Sequence, residues 1–251
     1  MRPEPWPYPF WIAHRGAGKL APENTLAAFR LGAQHGYTMF ECDTKLSADG
    51  VLFLLHDTTL ERTTSTTGRA ADLSWSELSR VDAGSKHSRQ YAGEPPATLE
   101  SLARFCLANS YFLNIEIKPT PGAEAATGEA VAELAERMWA DAPVPPLLSS
   151  FRPDALQAAQ QRAPQLPRVL LLETLWDGWE RAAQELDCCA ISCDYPLWDA
   201  QLIEQVQAVG MRALSYTGND EWMAEYLMKL GTDGIITDRI DRFSPSRRQT
   251  R

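Results

Sequence analysis

No stretch of this sequence approaches the roughly 18 consecutive apolar residues that a membrane-spanning helix needs, so no such span and no stable membrane association are expected. Positive charge is in deficit: the formal net charge is −9. Such a surface repels nucleic acid and anionic lipid, and an anionic ligand would need locally placed cations or a metal. Cysteine is sparse, at five residues (Cys42, Cys106, Cys188, Cys189 and Cys193), an odd count with no CxxC or zinc-finger spacing. These read as reduced, mostly buried thiols in a reducing compartment. Residues 1–10 lack a basic segment followed by an apolar run, so no secretory signal is expected and the cytoplasm is the expected location. Gly16-Ala17-Gly18 matches neither GxxxxGK[ST] nor GxGxxG, which excludes a nucleotide phosphate cradle.

What the chain does have is an alternation of short apolar runs and helical patterns. Barrel strands are predicted to start near residues 11, 39, 112, 147, 168, 189, 212 and 234. Helical stretches separate them, near 24–35, 98–108, 123–139, 153–162, 175–186, 199–208 and 220–230. Asp49-Gly50 turns the second strand into a hairpin with 51–55. Residues 58–97, rich in Thr, Ser, Gly and charge, break the rhythm as an inserted loop region. Residues 244–251 read as a polar, basic, frayed tail. Eight strands with helical crossovers point to an α/β fold, a TIM (β/α)8 barrel with a small insertion after strand 2. The 251 residues suit one such domain, residues 1–251 with 58–97 inside it.

Active sites of such barrels sit at the C-terminal strand ends. Here those ends carry His14-Arg15, Glu41 and Asp43, His56-Asp57, Glu116-Ile117-Lys118, Ser149-Ser150-Phe151, Asp194, Tyr216-Thr217-Gly218-Asn219 and Asp238. Chance placement would scatter ionisable groups over both ends. Side chains alternate along a strand, so Glu41, Asp43 and Lys45 share one face, and Glu116 and Lys118 share another. Three inward carboxylates repel one another. A hard divalent cation, Mg²⁺ or Ca²⁺, compensates them best, and zinc suits them poorly. The plainer reading is ion pairing with Arg15, Lys45 and Lys118 and no metal, but three carboxylates on one rim favour the cation.

Of the four histidines, His35 ends a helix and His87 lies in the polar insertion, so both read as structural or solvated. His14 and His56 each end a strand at the rim, where two imidazoles can serve as general base and general acid. Arg15 and Lys118 suit phosphate, one as a planar fork and one as a point charge. Pro22-Glu23-Asn24-Thr25 reads as a helix start with Asn24 or Thr25 as cap, and pure capping stands beside a site role for Glu23 or Asn24. Trp75, Phe151, Trp198 and Tyr216 are candidates for lining a pocket. Barrel aromatics are more often core, and of the four Phe151 and Tyr216 are kept as substrate contacts.

An ordered set of motifs runs from about residue 12 to 240: His14-Arg15-Gly16, Pro22-Glu23-Asn24-Thr25, Glu41-Cys42-Asp43, Asp49-Gly50 before His56-Asp57, Leu60-Glu61-Arg62-Thr63-Thr64, Asp82-Ala83-Gly84, Thr98-Leu99-Glu100, Ile115-Glu116-Ile117-Lys118, Ser149-Ser150-Phe151 and Gly234-Ile235-Ile236-Thr237-Asp238. The set resembles the glycerophosphodiester phosphodiesterases of the bacterial cytosolic type. The resemblance implies metal ligation by Glu41, Asp43 and Glu116, acid/base roles for His14 and His56, and phosphate contacts from Arg15 and Lys118. It also implies a small-molecule glycerophosphodiester as substrate, hydrolysed to glycerol 3-phosphate and an alcohol. The family's Trp-Thr-x-Asn after strand seven is here Tyr216-Thr217-Gly218-Asn219, which alters the pocket.

Three other readings compete. A phospholipase D-like or phosphatidylinositol-cleaving enzyme on the same barrel should carry exposed apolar loops or a basic surface. A non-catalytic barrel should have lost one of the five metal-binding or histidine positions. A zinc amidohydrolase needs an HxH strand motif and more histidines. A homodimer is compatible with the sequence, as is a monomer.

Overall fold

The computed structural model describes residues 6–245, so the first five residues and most of the expected frayed tail lie outside it. The strands are β1 (Trp11–Ala13), β2 (Met39–Leu46), β3 (Leu52–Leu54), β4 (Phe112–Ile117), β5 (Leu147–Ser150), β6 (Arg168–Leu172), β7 (Cys188–Asp194), β8 (Arg212–Tyr216) and β9 (Gly234–Thr237). The helices are α1 (Leu26–Gln34), α2 (Trp75–Leu78), α3 (Leu99–Ala108), α4 (Glu124–Met138), α5 (Pro153–Arg162), α6 (Trp179–Glu185), α7 (Ala200–Ala208) and α8 (Glu221–Leu230). Strand order is β1-β9-β8-β7-β6-β5-β4-β2-β3, and β1 also pairs with β2. Eight parallel strands therefore close into a TIM barrel, while β3 lies antiparallel on β2 outside the ring. Thr25 caps α1 by accepting from the Ala28 amide, and Thr98 caps α3 by accepting from Ser101. Each hydroxyl satisfies an amide that a helix start otherwise leaves open.

Alternation along the strands sorts the apolar side chains into two cores. Phe40, Cys42, Ile115 and Ile117 face the helices. Ile12, Met39, Leu147, Val169, Leu171, Leu214 and Ile236 plug the barrel interior. Burying each plug residue contributes about 1.5–3 kcal/mol. Two residues further along the same inward columns, the chemistry changes. Ile12 is followed by His14, Met39 by Glu41 and then Asp43, Leu214 by Tyr216, and Ile236 by Asp238. An apolar floor thus carries a polar mouth.

Residues 58–97 leave the barrel and close over a separate small core of Phe53, Leu55, Leu60, Ala70 and Leu78. Within them α2 forms where a loop was expected. Its four residues are too few to show helical periodicity, and the Ser74–Glu77 capping box holds it. The helix expected from 175 begins at Trp179, leaving Leu175 and Trp176 exposed. All five cysteines are free thiols. No helix among the described residues is long and apolar enough to cross a membrane.

Candidate active site

Register brings the carboxylates together. Asp43 on β2 pairs with Glu116 on β4, and Glu41 lies two residues below Asp43 on the same inward face. Glu41, Asp43 and Glu116 are buried, and one oxygen from each lies within 4.8 Å of the others. Burial, then Asp43 and Glu116, push the Glu41 carboxyl well above its usual range. Burial and Asp43 push Glu116 up to about 7. Asp43 moves the other way: although burial opposes it, Arg15, Lys118 and His56 hold it well below the usual carboxylate range. Glu41 Oε1 and Asp43 Oδ1 are buried without a hydrogen-bond partner. Buried acceptors left open and carboxylates that repel one another fit a hard cation with oxygen ligands, such as Mg²⁺ or Ca²⁺.

The cations divide differently from the plain ion-pair reading. Arg15, at φ 50, donates its backbone N–H to Glu41 at 3.0 Å, and its Nη1 donates to Glu23 at 3.0 Å. Its Nε lies 3.0 Å from Asp43 Oδ2 but is not aligned for a hydrogen bond. Lys118 donates to Glu116 at 2.8 Å and stands 3.6 Å from Asp43. Lys45 pairs with no carboxylate among the described residues; its buried ammonium donates to the Lys118 carbonyl at 2.9 Å, and burial brings it down to about 8. Asn24, at φ 60, gives its Nδ2 to Asp43 at 2.8 Å and accepts from the Asp43 amide at 3.1 Å. Capping falls to Thr25, so Asn24 serves the site.

Each rim histidine is braced by a carboxylate. His14 Nδ1 lies 2.6 Å from Asp238 Oδ1, and its Nε2 lies 3.8 Å from Glu41. His56 Nδ1 lies 2.7 Å from Asp57 Oδ1. Asp238 is held at about 2: burial opposes this, and hydrogen bonds from His14 and Asn219 overcome it. A hydrogen bond from Arg62, with help from His56, holds Asp57 at about 2. Both carboxylates are ionised acceptors, so each Nδ1 carries a hydrogen, which leaves Nε2 as the ring nitrogen that can take up or give a proton. Burial lowers His56; Asp43 opposes this, and Arg15 and Lys118 reinforce it. Arg62 ties the outer wall together, binding Asp57 at 2.6 Å and Glu23 at 2.7 Å.

Phe151 and Tyr216 pack edge to face at 5.7 Å, and the Lys118 ammonium lies 5.4 Å from the Phe151 ring. The Tyr216 hydroxyl donates to the Leu172 carbonyl at 2.9 Å. Trp198 is core, its indole N–H bonded to Leu214. Asp57, Asn219 and Asp238 stood on the predicted rim without a role, and Arg62 appeared only as a motif letter. The signal that could have found Asp57 is its adjacency to a strand-end histidine.

Residues 14–242 match the model of the Glycerophosphoryl diester phosphodiesterase family. A glycerophosphodiester phosphodiesterase of Caldanaerobacter subterraneus subsp. tengcongensis is 32% identical over 234 residues, 90% of this chain and 93% of that relative. The structure of an Oleispira antarctica phosphodiesterase in complex with the product sn-glycerol-3-phosphate superposes with a TM-score of 0.87 at 34% identity, covering 92% of this chain and 93% of that one. A glycerophosphodiester phosphodiesterase from Agrobacterium tumefaciens gives a TM-score of 0.76 at 28% identity, covering 93% and 97%.

Proposed function

This chain belongs to the glycerophosphoryl diester phosphodiesterase family, and from that premise we propose that it hydrolyses glycerophosphodiesters to sn-glycerol 3-phosphate and an alcohol by histidine acid/base catalysis. One observation carries the reading: three buried carboxylates gather at a mouth that also holds two carboxylate-braced imidazoles and two cations. The product held by the Oleispira antarctica enzyme supports the same reaction.

Glu41, Asp43 and Glu116 are the residues that would hold a divalent cation, Mg²⁺ or Ca²⁺, whose chemistry there would be to draw charge from a phosphate and to lower the pKa of a hydroxyl or water. Arg15 and Lys118 bind the phosphate oxygens, and Phe151, beside Lys118, and Tyr216 bound the substrate. His56, kept neutral by burial and by Arg15 and Lys118, accepts the nucleophile's proton at Nε2. His14, with Nδ1 held by Asp238, delivers a proton from Nε2 to the leaving alkoxide. Asp57 and Asp238 orient the rings. The barrel and residues 58–97 act as one catalytic domain. Five free thiols fit the cytoplasm.

The test is a panel of glycerophosphodiesters assayed for glycerol 3-phosphate release, with chelator and then metal added back. Turnover that chelator abolishes and Mg²⁺ or Ca²⁺ restores is expected. Absence of release from every diester sinks the reaction, and full activity in chelator sinks the metal.

A further inference from the structure

Beside the candidate site, between residues 14–23 and the insertion, lies a cleft of about 400 Å³. His14, Arg15 and Asp238 of the candidate site are among the residues that line it. Its charge opposes that of the chain. Arg15, Lys19, Arg62 and Lys86 line it against two carboxylates, Glu23 and Asp238, on a protein of net charge −9. Arg15 and Arg62 are engaged by Glu23, and Asp238 by His14. The two lysines are less committed. Lys19 has no ion pair among the described residues. Lys86 donates to the backbone carbonyl of Glu61 and feels that residue's carboxylate. His87 donates Nε2 to the Lys19 carbonyl at 3.0 Å, which fixes the backbone that carries Lys19. No Trp, Tyr or Phe lines the cleft among the described residues, so it lacks the aromatic faces that hold a quaternary ammonium.

The opposite side of the mouth has the opposite sign. In the ring of eight strands, β6 stands across from β1. Glu173 follows β6 and Asp194 ends β7; each acts on Tyr216, and Glu173 also acts on Asp194. Neither carboxylate has an ion pair among the described residues. An anionic group is repelled there and attracted to the cleft, while glycerol hydroxyls suit the acidic, tyrosine-bearing side.

We propose that the cleft receives the alcohol end of the diester and selects alcohols that carry an anionic group, a carboxylate or a second phosphate, through Lys19 and Lys86. This rests on the hydrolase reading above. Each solvent-facing lysine contributes on the order of a fivefold effect, so the pair gives roughly tenfold or more.

The experiment measures kcat/KM for three substrates that differ in the alcohol: glycerophosphoglycerol bearing a terminal phosphate, glycerophosphoglycerol, and glycerophosphocholine. The wild-type enzyme should prefer the first over the last by about tenfold or more, less so as salt rises. The Lys19→Glu/Lys86→Glu double variant should lower that ratio at least about tenfold through KM. The double Lys→Arg variant should keep it, since both charges stay. A parallel loss on all three substrates, or an unchanged ratio in the double Glu variant, overturns the assignment of the cleft. Wild-type turnover of all three without preference overturns this inference and leaves the hydrolase reading standing; no turnover of any substrate overturns both.

Discussion

The carboxylate of Asp238 lies 2.6 Å from Nδ1 of His14, across 224 residues of sequence. Barrel closure makes the contact, because β1 runs beside β9 with Ala13 opposite Thr237. Asn219 holds Asp238 from behind, donating to its carboxylate at 2.9 Å and accepting from its amide at 2.8 Å. Asp238→Asn keeps the shape and loses the fixed acceptor, so the His14 ring is no longer held in one tautomer. We expect kcat to fall about ten- to a hundredfold with KM little changed, and Asp238→Asn added to His14→Ala to cost nothing further. Steady-state kinetics of the three variants checks this; additive losses would mean that Asp238 acts by some route other than His14.

His14 and His56 are expected to be individually necessary. Each alanine variant should lose at least about a hundredfold in kcat, with near-ultraviolet circular dichroism unchanged because both rings sit at the mouth and are not part of the plug. Near-normal turnover in either variant would remove that residue from the mechanism.

The crowded carboxylates make a prediction about stability. Glu116 has an ordinary value of 4.5 and is raised to about 7 by burial and by Asp43. Its ionised form is therefore disfavoured in the fold, and the cation-free protein should lose stability as pH rises from about 4.5 through 7. Mg²⁺ or Ca²⁺ should cancel that loss. Glu116→Gln should melt higher than wild type in chelator at pH 8, by a few degrees, and should no longer respond to metal. Melting curves across pH with and without chelator decide it; a wild-type melting temperature flat over this range would contradict the repulsion.

Much of this site was legible because strand periodicity is strict. The inward column Met39, Glu41, Asp43 follows from alternation alone, and so does its apolar-to-acidic change. The barrel was legible from the rhythm of its elements. What stayed hidden depends on contacts between distant segments. Nothing local to Asp238 says that it meets His14. Nothing local to Arg62 says that it bridges Asp57 and Glu23. Asn24 looked like one of two equivalent caps, and only its φ of 60 turns the amide toward Asp43 and away from the helix. The short α2 was invisible because a single helical turn has no period.

Gly18 offers the last test, since it ties backbone geometry to the histidine brace. It sits at φ 55, and a Cβ there would lie 2.2 Å from the Asp238 carbonyl oxygen and 2.3 Å from its Cα. These are backbone atoms and cannot swing aside. Gly18→Ala therefore meets both the left-handed strain and a collision that pushes Asp238 away from His14. Gly50 provides the control: at φ 80 it has nothing within 4 Å, so Gly50→Ala meets the strain alone. We expect Gly50→Ala to cost about 1 kcal/mol and leave kcat intact. We expect Gly18→Ala to cost about 2–4 kcal/mol and to lower kcat at least about tenfold at a temperature where it remains folded. Paired melting and kinetic measurements separate the two. If Gly18→Ala loses stability but turns over like wild type, the position of Asp238 does not govern the proton transfer assigned to His14.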